Sequence, residues 1–186
     1  MLRSKPVVSI ENVVSTASVN QKIDLVFISK NFADTEYRPE RFPGLVFRLK
    51  SPKTSILVFG SGNMVCTGAK SEDQSILGVK TLVGILKKGG IKIRNEPDIT
   101  IQNVVASANL GGRIHLEQAA RVLPRSMYEP EQFPGLIHRM VDPTTVLLIF
   151  ASGKLVCAGA KKSSNIYRSV GNLLLTLEEK RLMHYG

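Results

Sequence analysis

The sequence lacks tryptophan, and it has only two cysteines among its 186 residues, Cys66 and Cys157. So few thiols exclude a disulfide-rich secreted scaffold and favour a reducing, intracellular compartment. Long apolar runs are also missing, and without a stretch of about 18 apolar residues no membrane-spanning helix is expected. Residues 1–14 contain neither a long apolar run nor a small-residue cleavage site, so no secretory signal is expected.

Acidic residues are scarce relative to basic ones. The chain has 25 Lys and Arg against 15 Asp and Glu, which gives a net charge of +10. This excess favours a polyanionic partner, with nucleic acid before an anionic membrane, although charge alone also fits a basic protein without such a partner. The excess is uneven, because residues 1–95 hold 15 basic and 7 acidic residues whereas residues 96–186 hold 10 and 8. The two halves are therefore expected to differ in their partners.

Residue patterns that indicate an enzyme are weak. The histidines, at positions 115, 138 and 184, do not have the spacing of metal ligands. GNMVCTGAKS (62–71) resembles a phosphate-binding loop only superficially, because its glycine and lysine spacing is wrong. No nucleophile is paired with a base. We therefore expect that the protein is not an enzyme and that it binds no metal and no cofactor. An enzyme on a duplicated α+β fold is the least favoured of the functional classes.

What the sequence does contain is a long internal repeat. A shift of 91 residues aligns IENVVSTASV (10–19) with IQNVVASANL (101–110), and YRPERFPGLVFRL (37–49) with YEPEQFPGLIHRM (128–140). Residues 51–70 align with 142–161 at the same offset. Two copies of this length do not fit a solenoid. We predict two homologous domains, residues 1–95 and 96–186, in a pseudo-two-fold molecule.

Each repeat predicts the same order of elements. A β-branched run indicates a strand. The segment after it predicts a short helix, which has Ile23, Val26 and Phe27 on one face and Asn20 as its cap. Three apolar segments then indicate an antiparallel meander, and a long amphipathic helix closes the repeat.

The turns and helix ends of the repeat also carry local signals. Pro52 and Gly62 mark the turns of the meander, Ser71 opens the long helix and Gly89 ends it. The predicted class is α+β, with helices covering one face of a sheet.

The predicted strands are apolar on both faces. In TSILVF, Ile56 and Val58 point to one face, and Leu57 and Phe59 point to the other. The helices can cover only one of these faces. The sequence therefore predicts a second, uncovered apolar face in a strongly basic protein.

Taken together, these blocks resemble the TATA-box-binding protein family of transcription initiation factors. The resemblance rests on the doubled FPGL (42–45 and 133–136), on ILVFGSGNMVCTGAK and LLIFASGKLVCAGAK, and on the IENVV and IQNVV pair. It implies a saddle, in which a ten-stranded curved antiparallel sheet binds the minor groove and helices lie on the convex face. This family is itself a standard example of minor-groove kinking. The doubled FPGL resembles archaeal members, so the archaeal cytoplasm or nucleoid is expected, or the nucleus if the protein is eukaryotic.

The resemblance also assigns roles to residues at matching positions. It implies that four rings kink the DNA: Phe42, Phe59, Phe133 and Phe150. It implies contacts with base edges and the groove floor from Asn12, Val14, Leu57, Val65, Thr67, Asn103, Val105, Leu148, Val156 and Ala158. It implies phosphate contacts from Arg48, Ser61, Arg139, Ser152 and Lys154. We expect Arg41 to make an additional phosphate contact at the rim of the face. A lone Phe in a strand more often belongs to a core, but the repeated spacing and the resemblance favour DNA contact here.

The two repeats differ at several of these positions. Ala158 lacks the hydroxyl of Thr67, and Asn63 stands where the second repeat has Lys154. Such differences leave open a diverged paralogue that acts mainly through protein partners. The cysteines, which occupy one repeated position, are interpreted as small buried hydrophobes.

The second FPGL follows an acidic segment, which carries Glu129, Glu131 and Gln132. These charges are either a solvated loop or, as the resemblance implies, a site for transcription factor B. The resemblance further implies double-stranded TATA DNA and the RNA polymerase machinery as partners. An exposed apolar sheet face also favours a homodimer when DNA is absent.

Overall fold

The computed structural model describes residues 5–186, so residues 1–4 of the first predicted domain lie outside it. The chain divides into two compact units, Asn12–Gln102 and the residues up to Glu11 together with Asn103–Gly186. Asn12 and Asn103 are equivalent positions of the 91-residue repeat. The limits of the units therefore cut through the first strand of each repeat and differ from the sequence-based domains 1–95 and 96–186.

The unit Asn12–Gln102 contains an antiparallel sheet with two helices. Its strands lie in the order β2-β3-β4-β5-β1, and every neighbouring pair is antiparallel. The elements are β1 (Val7–Ser18), α1 (Leu25–Asn31), β2 (Thr35–Tyr37), β3 (Leu45–Lys50), β4 (Lys53–Val58), β5 (Asn63–Ala69) and α2 (Glu72–Lys88).

The other unit repeats this arrangement. Its strands lie in the order β6-β11-β10-β9-β8, and a separate short pair joins β7 to β12. The elements are β6 (Asp98–Asn109), β7 (Arg113–Ile114), α3 (Leu116–Val122), β8 (Ser126–Met127), β9 (Leu136–Met140), β10 (Thr145–Ile149), β11 (Lys154–Ala160), α4 (Ser163–Glu179) and β12 (Met183–His184). The α+β class is confirmed, and each unit supplies five of the ten sheet strands that the family resemblance implies. Among residues 5–186, no helix is long and apolar enough to cross a membrane.

The long helix begins and ends where the sequence predicts. The Ser71 side chain caps α2 by accepting a hydrogen bond from the Gln74 N–H at 3.1 Å. Gly89 ends the helix, and Val79, Leu82 and Leu86 on its inner face are buried. These signals are local in sequence, which is why they predict the element well.

The short helix α1 differs from its prediction. Asn20 does not cap it, because Asp24 does so by accepting a hydrogen bond from the Phe27 N–H at 3.1 Å. The helix therefore begins at Leu25, and Leu25 and Ile28 form its buried face. Val26 and Phe27, which the sequence places inside, are exposed. The later start turns the helix and changes which residues reach the core.

The core lies between the helices and one face of each sheet. Ile56 and Met64 are among the strand residues that point towards α2 and are buried. Hydroxyl pairs cross the same layer, since Ser15 and Ser75 lie 2.7 Å apart and Thr145 and Ser169 lie 2.8 Å apart.

Both cysteines lie in this buried layer, as the sequence predicts. Burial raises the pKa of the Cys157 thiol to about 11 and raises the pKa of Cys66 as well. The thiols are therefore protonated near neutral pH and act as small apolar groups.

Candidate nucleic-acid interface

The sheet face that points away from the helices is apolar and only partly covered in each unit. Along each strand, buried residues alternate with residues of intermediate exposure. The partly exposed positions include those assigned to the groove floor: Val14, Leu57, Val65, Val105, Leu148 and Val156. This confirms the predicted second apolar face of the strands.

Each unit carries a pair of aromatic rings, and the second ring of each pair lies beside this face of its own unit. The ring centroids of Phe42 and Phe59 are 5.9 Å apart with an interplanar angle of 70°. Phe133 and Phe150 are also 5.9 Å apart, at 67°. Phe42 is 45% exposed and Phe133 is 39% exposed. The first ring of each pair is therefore not a core residue, and it is free to insert into a bound ligand.

The glycine of each FPGL lets the two rings approach each other. A Cβ on Gly44 would lie 2.7 Å from Cε1 of Phe42 and 3.0 Å from Cε1 of Phe59. At Gly135 the corresponding distances, to Phe133 and Phe150, are 2.8 and 3.1 Å. The repeated motif thus combines a ring with the glycine that makes room for the ring pair.

We expect Gly44→Ala and Gly135→Ala to separate the rings. Because Phe42 and Phe133 are exposed, they can swing away, so the free energy of unfolding should change by less than about 1.5 kcal/mol. The matched control is Gly84→Ala in α2, where no atom outside the helix's own backbone and the neighbouring residues lies within 4 Å of the added methyl group. Ring-to-ring NMR contacts should disappear in the first two variants only, and their survival would contradict the role given to these glycines.

Two asparagines take part in bulges of the sheets. Oδ1 of Asn12 accepts a hydrogen bond from the Gly68 N–H at 2.7 Å, and Oδ1 of Asn103 accepts one from Gly159 at 2.8 Å. Both glycines have φ near +90°, a left-handed region that glycine adopts without strain. Since each carbonyl oxygen is engaged, the Nδ2 amide group of each asparagine is the part that remains to serve a ligand. A·T base pairs offer only acceptors in the minor groove, so an N–H donor is the complementary group.

The two units differ in a hydroxyl on the same face. Oγ1 of Thr67 donates a hydrogen bond to the Ser55 carbonyl oxygen at 3.4 Å, and the equivalent Ala158 has no hydroxyl. The polar contact that the family resemblance implies for Thr67 is therefore available in one unit only.

The residues assigned to phosphates are exposed, but their surroundings differ. Arg48 lies 3.3 Å from the Glu36 carboxylate. Arg139 occupies the equivalent position, where Met127 replaces the glutamate. The exposed set is Arg41, Arg48, Ser61, Arg139, Ser152 and Lys154. An anion that binds Arg48 would therefore compete with the Glu36 carboxylate, whereas an anion that binds Arg139 would meet no acidic side chain at the equivalent position 127.

A shallow depression lies beside the second ring of each pair. The depression of about 650 Å³ in the first unit includes Phe59, Ser61 and Asn63 in its lining. Its counterpart of about 620 Å³ includes Phe150, Ser152 and Lys154. The lining positions of the two depressions correspond one by one at the repeat offset. The structure thus brings together residues assigned separately to kinking, groove-floor and phosphate contacts.

Two residues of these depressions, Thr16 and Asp98, have no role predicted from the sequence. Thr16 lines the first depression on the same face of β1 as Asn12 and Val14, so the two-residue period of the strand could have identified it. Asp98 stands where the second depression has Val7, and its carboxylate accepts a hydrogen bond from Asn20 at 3.0 Å. Its place beside β1 arises from sheet pairing, which no local pattern indicates.

The acidic segment of the second unit is an exposed turn between β8 and β9. Glu129, Glu131 and Gln132 are all exposed and surround a small surface depression with Pro130. The Gln132 N–H donates to the Glu129 carbonyl oxygen at 3.0 Å, which shapes the turn.

The duplicated unit and the apolar, ring-bearing face define a class of DNA-binding protein that uses a sheet rather than a helix. The family model described as "Transcription factor TFIID (or TATA-binding protein, TBP)" matches residues 7–89 and 98–180. The chain belongs to the TATA-box-binding protein family, whose members are transcription initiation factors and not enzymes.

Individual relatives agree with this assignment. The chain is 53% identical to the TATA-box-binding protein of Pyrodictium occultum over 177 residues, which cover 95% of this chain and 89% of the relative. It is 50% identical to that of Sulfolobus acidocaldarius over 175 residues, covering 94% and 89%. Among solved structures, Methanococcus jannaschii TBP superposes with a TM-score of 0.83 at 42% identity, covering 92% of this chain and 98% of that one.

Proposed function

We propose that the protein binds the minor groove of a TATA element through the partly exposed sheet face of each unit and bends the DNA there. The observation that carries the proposal is the repeated ring pair, which both units present beside an apolar strand surface. Inserted rings unstack a base step at a cost of roughly a few kcal/mol, which is offset by the protein surface that the bent DNA then contacts.

The chemistry of the face favours A·T over G·C pairs. Val14, Leu57 and Val65 offer no acceptor for the N2 amino group of guanine, which would be buried without a partner. The Nδ2 groups of Asn12 and Asn103 supply donors for A·T acceptors. Exposed cations such as Arg139 and Lys154 would neutralise phosphates, so affinity should fall as salt rises.

The proposal is tested by titrating a labelled TATA duplex and a G·C-substituted duplex, with bend-sensitive fluorescence at two salt concentrations. We expect preference for TATA, bending of the bound duplex, and weaker binding at the higher salt concentration. Little preference together with little bending would overturn the proposal and favour the diverged paralogue that acts through protein partners.

We also propose that the turn carrying Glu129, Glu131 and Gln132 binds transcription factor B, and that RNA polymerase is recruited to the resulting complex. The equivalent turn of the first unit carries Arg38, Glu40 and Arg41. Both units carry the apolar sheet face, whereas only the second unit has a turn with a net negative charge. Because the relatives named above are archaeal, the site of action that we propose is the archaeal cytoplasm or nucleoid.

Charge reversal in this turn should separate the two activities. We expect Glu129→Arg with Glu131→Lys to weaken the binding of factor B about 10-fold, because rim charges chiefly set association rates. Arginine is already the residue of the first unit at position 38, so Arg38→Glu serves as the matched control. Gel-shift titrations with and without factor B measure both steps, and equal loss of DNA binding and factor B binding would contradict the assignment.

A further inference from the structure

The outer surface of α1 carries two apolar side chains that the fold does not require. Val26 is 50% exposed and Phe27 is 37% exposed, whereas Leu25 and Ile28 face the core. In the second unit, the equivalent helix α3 has Glu117 and Gln118 at these two positions. Since α3 forms the same helix with polar residues there, folding does not explain the apolar pair of α1.

Basic residues lie at the beginning of the same helix. The Gln21 side chain holds the segment 92–94, because its Nε2 donates to the Lys92 carbonyl oxygen at 2.7 Å and its Oε1 accepts from the Arg94 N–H at 3.0 Å. Lys92 and Arg94 are both exposed. Their equivalents in the second unit are Met183 and Tyr185, which carry no positive charge.

Further basic residues lie at the end of the helix. Lys30 follows Val26 by four residues and Phe27 by three, so it lies on their side of the helix. The end of α2 reaches the same place, because an added Cβ at Gly89 would clash with the Phe32 ring. Lys87 and Lys88 directly precede this glycine and are exposed. The apolar pair is thus flanked by cations at both ends of α1.

Acidic residues offset this charge only in part. Asp24 lies at the beginning of the helix, and its carboxylate already accepts the Phe27 N–H. Asp34 follows the helix and is exposed. The exposed cations Lys30, Lys92 and Arg94 remain available to an external anion.

We propose that this surface, defined by Val26, Phe27, Lys30, Lys92 and Arg94 and called here the α1 surface, binds an acidic protein segment that inserts an apolar side chain against Phe27. The positive charge of Lys30, Lys92 and Arg94 is complementary to carboxylates on the partner. The exposed Val26 and Phe27 are complementary to an apolar side chain, which a nucleic-acid backbone does not supply. The α1 surface lies on the helix side of its unit, so the sheet face remains open to another ligand. The inference does not depend on the proposed DNA binding.

The probe that tests this surface is a fluorescein-labelled 16-residue amphipathic peptide, with Leu and Phe along one helical face and Asp and Glu on the other. Anisotropy titrations with the full chain should give a dissociation constant below about 1 mM. Val26→Glu with Phe27→Gln, which are the residues of α3, should weaken binding at least about 10-fold. Lys92→Met with Arg94→Tyr, the residues of the second unit, should weaken it about 3-fold and reduce its salt dependence.

Controls separate this surface from the alternatives. Glu117→Val with Gln118→Phe places the apolar pair on α3 without the cations of segment 92–94, and it should not increase peptide binding. An unchanged melting temperature and an unchanged far-ultraviolet circular dichroism spectrum would show that the α1 variants fold. Peptide binding that is absent, or that survives Val26→Glu with Phe27→Gln, would overturn the proposal. So would phosphatidylglycerol vesicles or a random duplex that bind the α1 surface more tightly than the peptide does.

Discussion

Replacement of Asn12 and Asn103 by aspartate is expected to weaken TATA binding about 100-fold or more without unfolding the protein. Aspartate has the same shape and can still accept the N–H groups of Gly68 and Gly159, so the bulges should persist. The amide donors are lost, however, and a carboxylate would face the acceptors of the A·T groove. Each unsatisfied buried group costs about 1–3 kcal/mol, so two together give the expected loss.

Fluorescence anisotropy measures this loss, and urea denaturation measures stability in parallel. Asn95→Asp with Asn172→Asp is the matched control, because it adds the same two negative charges at exposed positions that lie in none of the strands. We expect the control to bind TATA DNA within about 2-fold of the unaltered protein, apart from a small salt-dependent effect. An Asn12 and Asn103 double variant that binds as tightly as the control would show that the amides contact no base.

Removal of the ring pair of one unit should abolish much of the bend. We expect Phe133→Ala with Phe150→Ala to lower the DNA bend and to weaken TATA binding about 100-fold, since the rings would no longer unstack a base step. The loss of stability should stay below that of a core Phe, because Phe133 is 39% exposed. Truncation of a fully buried Phe typically costs about 3–5 kcal/mol.

Phe47→Ala provides the comparison for this effect, because Phe47 is buried on the helix side of β3. We expect that variant to lose stability and yet to bend DNA normally whenever it is folded and bound. Resonance energy transfer across a doubly labelled TATA duplex reports the bend. If Phe133→Ala with Phe150→Ala lowers the free energy of unfolding as much as Phe47→Ala does, the rings belong to the core after all.

Sequence reasoning predicts those features of the fold that depend on neighbouring residues. Ser71 and Gly89 mark the ends of α2 because capping acts within one turn of a helix. The two apolar faces of the strands follow from the two-residue period of side chains. The strand β2, with three residues, is too short for such a period to appear, and it escapes the sequence analysis.

Features that depend on contacts between distant segments could not be predicted in this way. Asn20 and Asp24 are both good helix caps in sequence, and only the observed start at Leu25 shows that Asp24 is used. The support that Gln21 gives to segment 92–94 joins residues about 70 positions apart. The roles of individual residues on the partly exposed sheet face were inferred from the family resemblance. The structure adds the positions and the hydrogen-bond partners of these residues.

Binding through the minor groove is tested most directly by a TATA duplex in which every A·T pair is replaced by inosine·cytosine. This pair has the minor-groove edge of A·T, because inosine lacks the N2 amino group, but it has the major-groove edge of G·C. We expect the inosine duplex to bind within about 5-fold of the A·T duplex and to bend, while the G·C duplex binds about 100-fold more weakly. An inosine duplex that behaves like the G·C duplex would show that the sheet face does not read the minor groove.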